Sequence, residues 1–347
     1  MSDALAQSKP DHGVPLLAVE NLVKYFPVRG GVFGRASAQV HAMDGVSFTL
    51  RERETLGIVG ESGCGKSTLA RMIVRLIDPS EGAVRFRGVD ISVLGAGAMR
   101  RYRRDIQFVF QDPYASLNPR LRAGAIVGEA IENFEAIPRE EITRRVESLF
   151  RRVGLRPAQM RNYPHEFSGG QRQRLGIARA LALNPSVIVA DEPVWALDVS
   201  VQAQVINLMI DLQEEFGIAY LFIAHDLAVV QHISHRVAVM YLGRIVELAP
   251  RDALFVTPLH PYTEALLDSV PIPDPALRRD KDVLSGEVPS PIRPPPGCRF
   301  HTRCPLVEAR CRVEVPALVE TRPDHFVACH VRATAAPAPI SVNEEAS

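Results

Sequence analysis

A glycine-rich stretch after an apolar run constrains the fold of this chain more than any other feature. The pattern G-x-x-x-x-G-K-[ST] is matched by Gly60, Glu61, Ser62, Gly63, Cys64, Gly65, Lys66, Ser67 and Thr68. In this pattern main-chain N–H groups curl round a β-phosphate, the lysine reaches the β/γ oxygens and the hydroxyl of Ser67 ligates Mg²⁺. Because the stretch follows the apolar run 55–59 and precedes a helical pattern, it predicts nucleotide binding rather than an ordinary turn.

Further apolar runs predict that this stretch belongs to an α/β fold with a parallel sheet. The runs at 187–190, 219–224 and 237–241 are separated by helical patterns, which is typical of parallel strands with crossover helices. Alternating residues from Leu16, interrupted by turns, predict a small antiparallel sheet that ends with the strand 46–50. Residues from about 112 to 170 are rich in Glu and Arg with a helical period, so we expect an inserted helical subdomain there.

Composition excludes several classes of protein. Forty basic and forty acidic residues balance, so no global field favours nucleic acid or anionic lipid. The basic run 100–104 has no basic neighbour in sequence and favours a solvated face over a nucleic-acid patch. No run approaches the roughly 20 apolar residues that span a bilayer, and the first ten residues lack a signal-peptide core. We therefore expect a cytoplasmic protein that works at a membrane only through a partner.

Polar residues follow the predicted strands where a nucleotide site of a parallel sheet should lie. Asp191 and Glu192 end the run 187–190, so Asp191 can position Mg²⁺ and Glu192 can polarise the attacking water. Gln111 follows the strand 106–110 and could contact Mg²⁺ or that water. His225 follows the strand 220–224 and is placed to hydrogen-bond a γ-phosphate. Each signal is weak alone, since a glutamine before a turn and a lone histidine are common structural residues.

A second anion-binding turn opens a basic helix about a hundred residues after the first. Its residues, Ser168, Gly169, Gly170 and Gln171, would direct backbone N–H groups and a helix N-terminus outward, where the helix dipole favours an anion. A chain with two anion-binding surfaces and one set of catalytic residues is expected to close its site against a second copy or a relative.

The order of these motifs along the chain resembles that of the ATP-binding cassette (ABC) ATPases. In that family, residues 196–198, which include Asp198, would form the D-loop. The resemblance covers about residues 16–250 and implies two cassettes that sandwich two ATP molecules. It implies catalytic roles for Lys66, Gln111, Glu192 and His225, and contact of 168–170 with the γ-phosphate bound to the partner cassette. Phe26 matches the adenine-stacking aromatic residue, although Tyr25 is a neighbouring candidate and Phe26 could instead be a core residue.

Two further segments are similar to the ATPase subunits of dipeptide and oligopeptide importers. These are 108–119 and 260–263, together with a Pro-rich, cysteine-bearing C-terminus. The resemblance implies a peripheral subunit on the cytoplasmic side of the inner membrane, with a second ATPase subunit, two permeases and, indirectly, an extracytoplasmic solute-binding protein. Alternatives are an importer of nickel or another small solute, a soluble ABC ATPase outside transport, and an iron–sulfur regulator that only binds nucleotide.

Four of the five cysteines crowd the last fifth of the chain: Cys298, Cys304, Cys311 and Cys329. Four thiolates can hold tetrahedral zinc or a [4Fe–4S] cluster, and the short C-x2-C clamp typical of zinc modules is absent here. Resemblance to the peptide-importer subunits favours [4Fe–4S] as a structural staple, while free structural cysteines remain the alternative.

The chain departs from the family at Trp195, where a small serine usually precedes the D-loop. A bulky ring there could slow closure, or it could turn aside and pack at the interface. The predicted organisation is a disordered start at 1–15, an ATPase domain at 16–255, a C-terminal extension at 256–332 and a disordered tail at 333–347.

Overall fold

The computed structural model describes residues 14–29, 36–269 and 287–333. The ends predicted to be disordered, 1–15 and 333–347, lie outside the described residues except for 14, 15 and 333. Pro271, Pro273 and Pro275 of the Pro-rich C-terminus also lie outside them.

An eight-stranded sheet forms the centre of the molecule, and its order is β11-β12-β10-β9-β3-β8-β7-β6. Strands β6, β7, β8, β3 and β9 run parallel, whereas β10, β12 and β11 continue the sheet antiparallel. Every residue of β3, β7 and β8 is buried, because helices or the second sheet cover both faces. The strands are β3 (Thr55–Val59), β6 (Ile106–Val109), β7 (Val187–Asp191), β8 (Ala219–Ile223), β9 (Arg236–Tyr241), β10 (Arg244–Pro250), β11 (Val319–Arg322) and β12 (His325–Val327).

A second sheet of four antiparallel strands packs on one side of the first, in the order β2-β1-β4-β5. Its long strands β1 (Leu17–Arg29) and β2 (Ala36–Leu50) pair directly, and β4 (Glu81–Phe86) and β5 (Val89–Asp90) complete it. Leu17, Leu22 and Leu50 are fully buried in a core that also contains β3 and β8 residues. The predicted antiparallel sheet is therefore present, and it includes two strands beyond the predicted segment.

Helices cover the central sheet, and local sequence signals fix their ends. Gly217 ends α7 in the left-handed region with φ 68°, where a side chain would be strained. Helix α5 has Glu140 and Glu141 in its first turn and Arg151 and Arg152 in its last, which complements the helix dipole. The helices are α1 (Lys66–Ile73), α2 (Ala96–Asp105), α3 (Pro113–Ser116), α4 (Ala123–Phe134), α5 (Arg139–Arg152), α6 (Gly169–Leu181), α7 (Val199–Phe216), α8 (Leu227–Ile233), α9 (Arg251–Val256) and α10 (Pro261–Asp268).

The segment between β6 and α6 contains α3, α4, α5 and two short 3-10 helices, Pro157–Arg161 and Pro164–Glu166. Its apolar face, which includes Ile131, Val146 and Phe150, packs against α6 in the same core as β7. The helical subdomain that we predicted at 112–170 therefore lies where the glutamine-bearing loop after β6 meets α6.

The C-terminal extension is built onto the central sheet. Strand β12 pairs with β10, so the sheet of the ATPase domain ends in residues from the extension. The fully buried Glu247 of β10 accepts hydrogen bonds from the main chain of Leu259 (2.8 Å) and His260 (2.9 Å) and contacts Nε2 of His325 at 2.7 Å. These contacts satisfy a carboxylate that would otherwise be costly to bury.

Among the described residues, no helix is both long enough and apolar enough to cross a membrane.

Candidate ATP-binding and hydrolysis site

The parallel strands bring the predicted catalytic residues to one edge of the central sheet. The phosphate loop follows β3, Gln111 follows β6, Glu192 follows β7 and His225 follows β8. These four strands are neighbours in the sheet, so their carboxyl ends lie side by side. This is the edge at which parallel α/β sheets bind ligands.

Glycine is required at two positions of the phosphate loop. A Cβ on Gly60 would lie 2.2 Å from the carbonyl oxygen of Met240, and one on Gly65 would lie 2.3 Å from that of Ala42. Both residues have positive φ, 151° and 109°. The loop can therefore pass this close to the strands only with glycine at these positions. Ser62 and Gly63 lie exposed at its tip.

Lys66 begins α1, and its ammonium group lies inside the loop. Its Nζ donates to the carbonyl oxygens of Gly60 (2.7 Å) and Glu61 (3.2 Å), and it lies 4.0 Å from Sγ of Cys64. The lysine is 5% exposed. Its charge is thereby held within the loop by two carbonyl oxygens. Burial raises the pKa of the Cys64 thiol, so Cys64 is a neutral packing residue at this position.

Ser67 and Asp191 form a pair of oxygen donors that suits Mg²⁺. The hydroxyl of Ser67 donates to Oδ1 of Asp191 at 3.0 Å. Asp191 is 2% exposed, and this burial raises its pKa. A buried carboxylate beside a hydroxyl fits a hard cation with oxygen ligands. Thr68 follows in the first turn of α1 and is half-buried.

Glu192 lies between Gln111 and His225. Nε2 of Gln111 donates to Oε2 of Glu192 at 2.9 Å, and Nδ1 of His225 lies 3.7 Å from the same oxygen. The backbone of Glu192 has φ 46°, in the left-handed region that a residue with a side chain rarely adopts. Its N–H donates to Ile223 at the end of β8, which holds it in this conformation. Backbone strain of this kind is common at functional sites.

The turn at Ser168–Gln171 opens α6, and its binding of an anion stays a prediction. Ser168 is the N-cap of α6: its hydroxyl accepts from the N–H of Gln171 at 3.4 Å, and Oε1 of Gln171 accepts from the N–H of Ser168 at 3.1 Å. The turn packs against the D-loop and the start of α7. A Cβ on Gly169 would meet Leu197 at 3.4 Å, and one on Gly170 would meet Val201 at 2.5 Å.

The D-loop connects Glu192 to α7. Asp198 precedes the helix, and its carbonyl accepts from the N–H groups of Val201 (2.9 Å) and Gln202 (2.8 Å). Trp195 is 52% exposed and borders a small cavity of about 30 Å³ together with Glu192 and His225. The ring is thus adjacent to the predicted catalytic base.

The two aromatic candidates for adenine stacking differ in their surroundings. Tyr25 donates its hydroxyl to Oδ1 of Asp44 at 2.7 Å, and its ring lies 4.4 Å from that of His41. Phe26 is half-buried, with Nζ of Lys24 5.3 Å from its ring centroid. Both residues are half-buried, but Tyr25 belongs to a polar network through its hydroxyl, whereas Phe26 does not share it.

The four C-terminal cysteines lie in one neighbourhood. The N–H of Cys298 donates to the carbonyl of Cys311 at 2.9 Å. Burial raises the pKa of the Cys298 thiol, and it raises that of Cys304 to about 11. The neighbouring thiol groups also raise both pKa values, by a smaller amount. In the described part of the chain, however, no three His, Cys, Asp or Glu side chains converge closely enough to hold a metal ion. As placed, Cys298, Cys304, Cys311 and Cys329 do not form the predicted [4Fe–4S] or zinc site.

Two arginines of the extension, for which the sequence predicts no role, contact acids of the phosphate loop and of β2. Arg303 forms an ion pair with Glu61 of the phosphate loop, and Arg299 forms one with Asp44 of β2. Tyr262, in the segment 260–263, accepts from the N–H of Glu61. Both arginines lie between or beside the clustered cysteines Cys298 and Cys304, which is the one sequence feature that could have drawn attention to them. Nothing in the sequence pairs them with acids more than two hundred residues away.

Two protein families match consecutive parts of the chain. The ABC transporter family matches residues 43–195, and the C-terminal region of oligopeptide/dipeptide transporters matches residues 246–311. The first match spans the phosphate loop, Gln111 and Asp191, and the second includes β10, α10 and three of the four clustered cysteines.

Two curated proteins are similar over nearly their whole length. The probable peptide ABC transporter ATP-binding protein y4tS of Sinorhizobium fredii is 60% identical over 332 residues, 96% of this chain and 94% of that protein. The oligopeptide transport ATP-binding protein AppF of Bacillus subtilis is 56% identical over 319 residues, 91% of this chain and 97% of that protein.

Solved structures show the same cassette. The post-hydrolysis dimer of the ATP-binding cassette MJ0796 bound to ADP and Pi has a TM-score of 0.61 and 31% identity, covering 68% of this chain and 98% of that one. The structure of cbiO1 from Clostridium perfringens has the same TM-score, 28% identity, and covers 70% of this chain and 91% of that one. The chain therefore belongs to the ABC transporter family, as an ABC-type ATPase with the C-terminal region of oligopeptide/dipeptide transporters.

Proposed function

We propose that this protein hydrolyses ATP to energise a membrane importer of dipeptides or oligopeptides. The observation that carries the proposal is the convergence of the Ser67–Asp191 pair and the Gln111–Glu192–His225 group at one sheet edge. The names of the relatives, which describe peptide and oligopeptide transport, favour peptides as the solute.

In the proposed reaction each residue acts from its position in the structure. The loop N–H groups and Lys66 bind the β- and γ-phosphates, and Ser67 and Asp191 hold Mg²⁺. When bound, Mg²⁺ neutralises charge on the phosphate oxygens. Oε1 or Oε2 of Glu192 accepts a proton from the attacking water, while Gln111 and His225 orient the carboxylate and the γ-phosphate.

Closure of the site requires a second cassette. Ser168 and Gly169 are exposed at the start of α6, so this turn is available to a nucleotide bound by another subunit. We propose that this subunit is a paralogue or a second copy of this chain. The post-hydrolysis dimer among the structural relatives supports this arrangement. Phe26 is the proposed adenine-stacking residue, because Tyr25 is bound to Asp44.

The proposed contact with the two permeases lies beside Gln111. A cavity of about 370 Å³ separates the loop after β6 from the start of α6, and it is lined by Gln111, Tyr114, Arg172 and Leu197. Tyr114 is 55% exposed, and Arg172 stacks over its ring at 5.3 Å. A permease segment in this groove would couple closure of the cassettes to movement in the membrane. The proposed location is therefore the cytoplasmic face of the inner membrane, with a solute-binding protein on the other side.

The support for the predicted [4Fe–4S] cluster is the presence of four free cysteines in one extension. Its test is the iron and sulfide content of protein purified without oxygen, where about four iron atoms per chain would support it. Colourless, iron-free protein would remove it.

The test of the proposed function is co-purification followed by transport. Membrane proteins that bind the tagged chain should be permeases, and vesicles containing them with the solute-binding protein should accumulate a labelled dipeptide or tripeptide only with ATP. Uptake of nickel or another small solute in place of peptides would identify the alternative importer. No permease partner, together with no ATP hydrolysis, would refute the proposal.

A further inference from the structure

The phosphate loop is joined to the C-terminal extension by a buried ion pair. Nη1 of Arg303 donates to Oε2 of Glu61 at 2.9 Å, and Nη2 donates to Oε1 at 3.1 Å. The arginine side chain is 5% exposed and that of Glu61 is 24% exposed. Two parallel charge-assisted bonds fix orientation as well as distance. The pair therefore holds Glu61 in one position relative to the extension.

Tyr241 of β9 and Phe300 of the extension surround Arg303. The Arg303 guanidinium lies 6.0 Å from the ring centroid of Tyr241, and Nη1 lies 3.5 Å from that residue's hydroxyl. Its backbone N–H donates to Phe300 at 3.0 Å, and Phe300 packs edge-on against Tyr241. Burial opposes the charged form, but the hydrogen bonds with Glu61 raise the pKa of Arg303 above its ordinary value. The partner of Glu61 is therefore a fixed cation in a packed aromatic setting.

Glu61 transmits this constraint to Lys66, which binds the phosphates in the proposed reaction. Its N–H donates to the hydroxyl of the fully buried Tyr262 at 2.9 Å. Its carbonyl accepts from the N–H of Cys64 (3.2 Å) and from Nζ of Lys66 (3.2 Å). The side chain, the amide and the carbonyl of Glu61 are all engaged. Movement of Glu61 would therefore displace both the turn and the ammonium group of Lys66.

The same short loop of the extension reaches the other end of the site. Arg299 donates to Oδ2 of Asp44, which also accepts from Arg244 at 2.8 Å, and Oδ1 of Asp44 accepts from Tyr25 at 2.7 Å. Tyr25 precedes Phe26 in β1. Two arginines from one loop thus contact the phosphate loop and the strands beside the aromatic candidates.

We propose that Arg303 is a positioning residue of the ATP site, which acts through Glu61 to hold the phosphate loop in its nucleotide-binding shape. The C-terminal extension thereby sets the affinity for ATP. This inference rests on the proposed function, since it deepens the account of the same site.

The position of the pair indicates which kinetic constant it controls. Arg303 and Glu61 lie at the loop after β3, whereas Gln111, Glu192 and His225 follow β6, β7 and β8. Loss of the pair should weaken binding of the phosphates, while the group around the attacking water is unchanged. KM for ATP should therefore rise with little change in kcat at saturating ATP.

The experiment compares Arg303→Met and Arg303→Lys with Arg310→Met in the full chain. Arg310 pairs with Glu314 within the extension, and both side chains are more than half exposed, so its variant is a matched control. We expect Arg303→Met to raise the equilibrium Kd for ATP at least about tenfold, equal to about 1.4 kcal/mol. Arg303→Lys keeps the charge without the fork and should lie between wild type and Arg303→Met. Arg310→Met should bind ATP as wild type does.

A second variant keeps the proposal testable if Arg303→Met does not fold. Glu61→Gln removes the charge of the pair from the more exposed side and should also weaken ATP binding. In the double variant Glu61→Gln with Arg303→Met, the Kd should not exceed that of Arg303→Met alone, because both changes remove one interaction.

Several outcomes would overturn the inference. An unchanged Kd in folded Arg303→Met, effects that multiply in the double variant, or a fall in kcat with unchanged KM would each show that Arg303 does not act through the loop. A wild-type protein that neither binds nor hydrolyses ATP with its permeases would instead refute the proposed function.

Discussion

Gln111 donates a hydrogen bond to Glu192 across 2.9 Å, although 81 residues separate them in sequence. The acceptor is Oε2, the oxygen that His225 also approaches. One carboxylate oxygen thus faces both Gln111, which we predict to contact Mg²⁺ or the attacking water, and His225, which we predict to hydrogen-bond the γ-phosphate.

Glu192→Gln should abolish hydrolysis while preserving ATP binding. The amide keeps an oxygen that can accept from Gln111, but it cannot take a proton from water. We expect at least about a hundredfold loss of kcat, as for removal of a general base, and accumulation of a closed dimer with ATP. Steady-state hydrolysis and light scattering with ATP test this, with Glu215→Gln on the exposed surface as control. Full hydrolysis by Glu192→Gln would show that another residue is the base.

Ser67→Ala should weaken the binding of Mg²⁺ without unfolding the protein. The change removes one of two adjacent oxygen donors and leaves Asp191 without its 3.0 Å partner. We expect the Mg²⁺ concentration for half-maximal ATPase activity to rise about tenfold, and further for Asp191→Asn. Ser269→Ala, which alters a surface hydroxyl at the end of α10, is the control. An unchanged Mg²⁺ titration would place the metal elsewhere.

Gly170→Ala and Gly176→Ala form a matched pair within α6. A Cβ at Gly170 would lie 2.5 Å from Cγ1 of Val201, whereas nothing lies within 4 Å of one at Gly176. Gly170→Ala should therefore displace the start of α6 from α7 and reduce ATPase activity at least about tenfold, with ATP binding to the phosphate loop retained. Gly176→Ala should stabilise the helix by up to about 1 kcal/mol with normal activity. Equal activity of the two variants would contradict the role of the turn.

The fluorescence of Trp195 should report closure of the cassettes. The ring is the chain's only tryptophan, is half exposed and borders the cavity beside Glu192. If the D-loop enters the interface with the second cassette, saturating ATP should shift its emission to shorter wavelength. The Glu192→Gln variant, which should stay closed, is the favourable background for the measurement. An unchanged spectrum would place the ring outside the interface.

Acid should destabilise the fold through His260. This buried residue caps α10, and its Nδ1 accepts from the N–H of Tyr262 at 3.1 Å, which requires an unprotonated nitrogen. Burial lowers the pKa of His260 to about 4, despite the nearby Glu247. The unfolded chain binds this proton near pH 6.5. Stability should therefore fall as the pH drops from 6.5 toward 4, by about 2 kcal/mol between pH 7 and pH 5.

The control for His260 is His260→Asn, because asparagine can cap the helix without titrating. Urea unfolding of both proteins at pH 7 and pH 5 measures the difference in the free energy of unfolding. An equal loss of stability in both proteins would mean that other groups carry the acid sensitivity.

Residues whose roles follow from local patterns were predictable from the sequence. The loop at Gly60–Thr68, the strand that ends at Asp191 and the cap at Ser168 each carry a short signal with a known geometry. The runs 187–190, 219–224 and 237–241 all became buried parallel strands.

Contacts between distant segments were not predictable. The pairing of β12 with β10 and the ion pair of Arg303 with Glu61 join residues that no periodicity connects. The cysteine spacing indicated a shared neighbourhood, but spacing alone does not fix whether four thiol groups point at one centre. The side-chain directions there depend on tertiary packing, which a single sequence does not display.

The pairing of β12 with β10 has a practical consequence for anyone who trims this protein. A version ending near residue 255 would leave β10 as an unpaired edge of the sheet. The carboxylate of Glu247 would lose its contacts with His325 and with the amides of Leu259 and His260. Exposed strand edges pair with other chains, and a buried carboxylate without partners destabilises the fold. Such a truncated product should precipitate on expression, even though every motif of the cassette would be present.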